Sequence, residues 1–307
     1  MLPTPHFQTL LVPLDGSRMA EDVIPTVECL ARHFGSHVTL LHILEQNPPQ
    51  TIHGERHLVH VAEAEAYLAG VAGRFQEAGV PVVLHTHPSR EGDVARSIAA
   101  HAEEMHADLV VLCTHGSGGM RGLLFGRIAQ QVLQHGRHPV LLLPPGQHNA
   151  CGLDLHHVLA PLDGTPKHEP ALPIASALAT AFGARLHLAL VIPTVAALSG
   201  AEAATAMLLP GTMRAVLDLA EQGAKDYLAE VVARCRQAGA DVTAQALRGD
   251  PVPVVLEQAE RLNADLIVMA SHGRAGLDAL FAGSVAPRIT SRANRPLLLV
   301  RANVERD

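Results

Sequence analysis

Two glycine-rich stretches carry the residues with the most evident chemical potential. From Ala270 to Ser284 the chain reads ASHGRAGLDALFAGS: Gly273, nine further residues, Gly283, then the hydroxyl of Ser284, all following the apolar run from Leu266 to Met269. A strand that ends in a glycine loop and opens a helix with Gly-Ser can aim several backbone N–H groups at one anion. The orphan donors of a helix N-terminus and the positive end of its dipole favour phosphate there. A second copy, CTHGSGGMRGLLFGR, runs from Cys113 to Arg127 with Gly116, nine residues, Gly126 and then Arg127. In this copy a long cation replaces the small hydroxyl donor. Two carboxylates, Asp15 and Asp163, close apolar runs and begin Asp-Gly-Ser and Asp-Gly-Thr turns. A carboxylate facing a phosphate loop suits a nucleotide, with the acid accepting from ribose or base and the loop holding the negative tail.

The elements that must position these residues form one unit written twice. Thr9–Leu14 is echoed by His157–Leu162, and His37–Leu44 by Arg185–Ile192, each 148 positions on. Later landmarks (Gly92 and Gly249, Gly116 and Gly273, Gly126 and Gly283, Pro139 and Pro296) are 157 apart. Such a fixed period is an internal repeat. The change of offset places a net nine-residue insertion between Ile192 and Gly249, which we expect in a loop or lid from Thr194 to Thr212. Helical patterns cover Ala20–Phe34, Glu55–Glu77, Asp93–His106 and Arg127–His135, then Ala171–Phe182, Arg214–Gln237, Val252–Leu262 and Ser284–Arg292. Between them the strand patterns are continuous apolar runs, as Leu109–Cys113 shows, which suit strands covered on both faces. Alternation of this kind implies a parallel sheet with right-handed crossovers. The expected fold is α/β: two tandem doubly wound domains, residues 1–149 and 150–307, each a five-stranded parallel sheet of order 3-2-1-4-5 flanked by helices. Ligands of such sheets bind at the carboxyl ends of the strands where the order reverses.

Composition narrows the function classes. A formal charge of −7, without a basic run, opposes binding to a nucleic-acid backbone. No uninterrupted apolar segment approaches the ~18 residues of a membrane span. Four scattered cysteines form neither a disulfide framework nor a zinc knuckle and suit a reducing compartment. Cytoplasmic localisation is expected, with no nucleic acid and no membrane among the partners.

With the loops, the Asp-Gly turns and the repeat in place, the chain resembles a tandem universal stress protein over nearly its whole length. ATP-binding members of that family carry G-x-x-G, nine residues and G-[S/T], with an Asp closing the first strand. The second half matches with Ala270 in the first glycine position, Gly273, Gly283, Ser284 and Asp163. The first half departs at two loop positions, Cys113 and Arg127, while keeping Gly116, Gly126 and Asp15. The resemblance implies that Val191 and Ile43 offer backbone to an adenine ring, that Gly249–Pro251 and Gly92–Val94 begin a helix beside the ribose, and that Val285 adds an N–H to the phosphates. It implies a stress-response protein binding ATP, ADP or AMP, with Mg2+ accompanying the nucleotide, mainly in the second half. It also implies an intramolecular pseudo-dimer, in which Val140–Leu143 meets Leu297–Val300, with homodimerisation and an unknown protein partner as extensions. The alternative is a nucleotide-free interaction module whose paired domains hold another ligand or a protein.

Plainer readings stand beside these. The glycines could serve backbone freedom alone, and each Asp could cap a helix. His53, His57 and His60 would share a helix face, and His85 and His87 one face of a strand. No Cys or carboxylate completes a tetrahedral set, so solvated histidines and no metal site are expected. His115 and His272 shape the loops or, on the sharper reading, act as bases. No P-loop, nucleophile elbow or visible nucleophile–base pair is present. Slow ATP hydrolysis or autophosphorylation is the most enzymatic activity the family analogy allows.

Overall fold

A computed structural model describes residues 7–46, 49–88, 93–114, 127–146, 152–198, 200–271 and 285–302. The first half runs β1 (Thr9–Pro13), α1 (Arg18–Glu21), α2 (Ile24–Phe34), β2 (His37–Leu44), β3 (Thr51–Ile52), β4 (Glu55–Arg56), α3 (Val61–Glu77), β5 (Val82–Pro88), α4 (Val94–Glu104), β6 (Leu109–Cys113), α5 (Arg127–His135) and β7 (Val140–Leu143). The second runs β8 (His157–Leu162), α6 (Ala171–Phe182), β9 (Arg185–Ile192), α7 (Gly200–Leu208), α8 (Pro210–Gln237), β10 (Asp241–Arg248), α9 (Pro251–Arg261), β11 (Leu266–Ser271), α10 (Val285–Thr290) and β12 (Leu297–Arg301).

Ten strands make one sheet, ordered β10-β9-β8-β11-β12-β7-β6-β1-β2-β5. Each half therefore has the expected 3-2-1-4-5 order. Within each half the pairs are parallel. At the centre β12 meets β7 antiparallel, with Leu297 opposite Leu142, Leu298 opposite Leu141 and Leu299 opposite Val140. The seam joins the closing strands, as the family resemblance implied. Alternate residues of the buried strands feed two apolar layers, one on each face, and both layers draw on both halves. One carboxylate in each half locks the first strand to the fourth. Asp108 accepts from the N–H groups of Gln8 and Thr9 at 2.8 and 2.9 Å, and Asp265 from those of His156 and His157 at 2.7 and 2.8 Å.

Three expectations are corrected. The pattern Ala20–Phe34 is split into α1 and α2, because Pro25 lacks the N–H a continuing helix needs and instead sits at the start of α2. The pattern Glu55–Glu77 contains a helix only from Val61; β3 and β4 form a small hairpin that turns at His53 and Gly54, both with positive φ. His53, His57 and His60 consequently do not share a helix face. The insertion at Thr194–Thr212 is largely helical: after a 3-10 turn at Val195–Ala197, α7 and the first turn of α8 occupy it. Its alanines are strong helix formers, and Pro210 begins the next helix.

Candidate functional site

At the carboxyl ends of the first-half strands lies a cavity of about 590 Å³, within the usual size range of small-molecule sites. It opens at the point where the strand order reverses, between β1 and β6. Asp15 and Leu14 enter from the end of β1, Ile43 from β2, Asp93 and Val94 from the start of α4, Cys113 and Thr114 from the end of β6, and Ile128 from α5. Of the sequence candidates in this half, Asp15 and Ile43 therefore line one space. Gly116 and Gly126 lie outside the described residues, as does the side chain of Arg127, whose backbone begins α5.

The turn after β1 is built by Asp15 itself. Its Oδ1 accepts from the Ser17 N–H at 2.9 Å and the Ser17 hydroxyl at 2.6 Å, while Ser17 caps α1 by accepting from the Ala20 N–H at 3.2 Å. Ser17, not Asp15, is the helix cap. The turn needs a residue without Cβ at Gly16, whose φ is 90° and where a methyl would come within 2.8 Å of Leu58. The other oxygen, Oδ2, lies 3.6 Å from His53 Nε2.

Sequence reasoning missed His42 and placed His53 and His57 on a helix face, whereas all three line this cavity. His42 is fully buried; its Nδ1–H donates to the Leu14 carbonyl at 2.7 Å, and its Nε2 is buried with no partner. Burial, reinforced by the nearby His57, pushes its pKa down despite the Leu14 and Leu58 carbonyls against the ring. His57 is 3% exposed, with Nε2 3.8 Å from Glu45 and Nδ1 unpartnered. The only local signal for His42 is a polar residue inside the apolar run of β2. Cys113, also at the cavity, has its thiol pushed up to about 12, chiefly by burial, and is a poor nucleophile.

In the second half Asp163 repeats the turn, accepting from the Thr165 N–H at 3.0 Å and the Thr165 hydroxyl at 2.8 Å. Its Oδ2 is taken up by His168 Nδ1. Val191 is half-buried in β9, Ala270 lies in β11 opposite Val300, and Val285 begins α10. Gly273, Gly283, Ser284 and His272 lie outside the described residues. Asp93 and Asp250 cap α4 and α9, accepting from the N–H groups of Arg96 at 3.0 Å and Val252 at 3.2 Å. Among the described residues no helix is long and apolar enough to cross a membrane.

The comparisons with known proteins agree with this architecture. A universal stress protein of Synechocystis is 33% identical over 139 residues, 45% of this chain and 86% of that protein. A universal stress protein of Mycolicibacterium smegmatis is 26% identical over 217 residues, 69% of this chain and 67% of that one. The crystal structure of a universal stress protein from Archaeoglobus fulgidus shares the fold over 97% of this chain and 98% of its own, with a TM-score of 0.69 at 19% identity. A model of the universal stress protein family matches twice, at residues 6–144 and at residues 155–301. The chain belongs to the universal stress protein family, with two copies of the family's domain in tandem.

Proposed function

We propose that this stress-response protein binds ATP or another adenine nucleotide at the strand ends of its halves, which divide at about residue 150, and that occupancy regulates its contact with a protein partner. The observation that carries the reading is the first-half cavity. Asp15, whose Oδ2 lies 3.6 Å from His53, and His53 itself line an apolar space that includes Ile43. A ligand with sugar hydroxyls or an exocyclic amino group could donate to the Asp15 carboxylate there. The negative tail would extend toward residues 115–126. In the second half the support is the sequence of the loop: Ala270, Gly273, Gly283, Ser284 and Val285 keep the small residues and the hydroxyl that a phosphate cradle needs. Mg2+ would accompany the tail, and no catalytic residue is assigned.

Calorimetry on nucleotide-stripped full chain, with ATP, ADP and AMP, tests this. We expect two binding events, one removed by Ser284→Arg and the other by Asp15→Ala. No binding of any of the three at millimolar concentration overturns the proposal. A nucleotide-free interaction module is the second reading. Its support is the apolar exposure of the insertion, where Met207 is 86% and Leu208 80% exposed, with Leu219 at 74% on α8. Partner capture that is indifferent to Ser284→Arg and Asp15→Ala would favour it.

A further inference from the structure

On the open edge of the first half's sheet three imidazoles converge that no sequence pattern joins. His85 and His87 alternate along β5, the edge strand, and so project from one face. His101 comes from α4, is 4% exposed, and completes the group; one ligating nitrogen from each ring lies within 4.8 Å of the others. We propose that His85, His87 and His101 form a binding site for a divalent transition-metal ion, zinc being the natural fit to three imidazoles.

The arrangement has the marks of a ligand set. His101 donates Nδ1–H to the Ser97 carbonyl at 2.7 Å, the backbone bond that commonly orients a metal-binding imidazole and leaves Nε2 as the lone-pair donor. His85 Nε2 is buried with no hydrogen-bond partner. The three ring centroids lie 4.5, 4.9 and 6.3 Å apart, and an ion among them would satisfy the buried Nε2 of His85. Zinc held at about 2.0–2.1 Å from each nitrogen brings ligands to roughly 3.4 Å apart, so the present spacing closes by modest ring rotation, to which the partly exposed His87 can contribute. Three histidines leave a fourth position open. Glu104, one turn beyond His101, is the adjacent carboxylate and its charge already acts on His85.

The site is separate from the cavity but shares a wall with it. α4 presents Val94, Ala95 and Ile98 to the cavity and His101 to the ion, so a bound metal would tie the edge strand to that wall. The proposal does not rest on the nucleotide reading.

The test uses untagged, chelator-treated full chain titrated with zinc chloride by calorimetry, and with cobalt chloride by visible absorption. We expect one high-affinity ion per chain, a nitrogen-ligated cobalt spectrum, and a rise in melting temperature with zinc. His87→Gln and His101→Asn should each weaken binding by more than the roughly 10–100-fold that loss of an outer-shell partner costs. His156→Gln, on the exposed surface of the other half, should leave it unchanged. Absence of a high-affinity ion in the wild type, or unchanged affinity and stoichiometry in His87→Gln, overturns the proposal. His87 is partly exposed, so that variant remains decisive if His101→Asn fails to fold.

Discussion

The two halves hold the same three residues in two states of assembly. In the second, Glu169 receives a two-pronged bond from Arg234, Nη1 and Nη2 each at 2.8 Å, and a third from the Tyr227 hydroxyl at 3.0 Å. The corresponding trio in the first is Glu21, Tyr67 and Arg74, using the chain's other tyrosine. There the ion pair opens to 3.9 Å, and the buried Tyr67 hydroxyl faces Glu21 without reaching close hydrogen-bond geometry. The trio docks the turn after the first strand onto the long helix behind it, so its looseness in the first half coincides with the open cavity beside Asp15. The strand ends differ in the same sense. His42 stands where the second half has Leu190, and Cys113 where it has Ala270. A shared framework thus supports one half in which Asp163 is bonded to Thr165 and His168 and another in which Asp15 lies beside an open cavity, 3.6 Å from His53.

The strongest way to break the comparison is at the seam, where the halves contribute equally. Leu141 and Leu298 face each other and are 2% and 1% exposed. Either leucine changed to alanine should cost about 2–5 kcal/mol in urea unfolding. A loss confined to one of them would mean that the halves do not share the seam evenly. Next, Glu169→Gln removes charge-assisted bonds worth about 1.5–3 kcal/mol, while Glu21→Gln should cost under about 1 kcal/mol. Equal losses would erase the distinction between the two trios.

Acid should separate the halves by range. Arg234 holds the Glu169 carboxyl below its ordinary value of 4.5, so its contribution is complete above that value and is lost as pH falls through the folded pKa. His42 is held neutral by burial, so its contribution is complete above 6.5 and declines as pH drops and the unfolded chain takes up the proton. The stability lost between pH 7 and 5.5 should therefore shrink in His42→Leu, which copies Leu190, and be unaltered in Glu169→Gln. His187 in the second half, also lowered by burial, keeps part of the loss in place. The smallest effect is expected from Cys113→Ala, which copies Ala270 and should change stability by under about 1 kcal/mol. With its pKa near 12, the native Cys113 thiol should resist alkylation until the chain unfolds.

Much of this framework was legible in the chain because repetition supplied its own control. Matched offsets located the strands, and buried parallel strands such as β2 and β9 read as apolar runs whose ends fall where the pattern set them. The places of Asp15 and Ile43 at strand ends were legible for the same reason, since strand ends are local features. What escaped depends on contacts across distance. Two-residue strands such as β3 and β4 have no periodicity to detect, and a helical insertion rich in alanine looks like a loop when Gly and Pro flank it. His101 reads as one polar residue on an amphipathic helix until the fold carries it to His85 and His87. Likewise the two trios span residues 46 or more positions apart (Glu21 to Tyr67), and only the packing of the long helices shows that they belong together.

The antiparallel pairing of β12 with β7 has a genetic consequence. Were the seam formed by two identical chains, every substitution would occur on both sides of it and at both strand-end sites at once. Here Leu141 meets Leu298, two separate codons, and a change at one strand end leaves the other untouched. Covalent linkage also keeps the partner strand at a fixed, high local concentration however the rest of either half drifts. A lineage carrying this chain can therefore change one strand end by single mutations without altering the other.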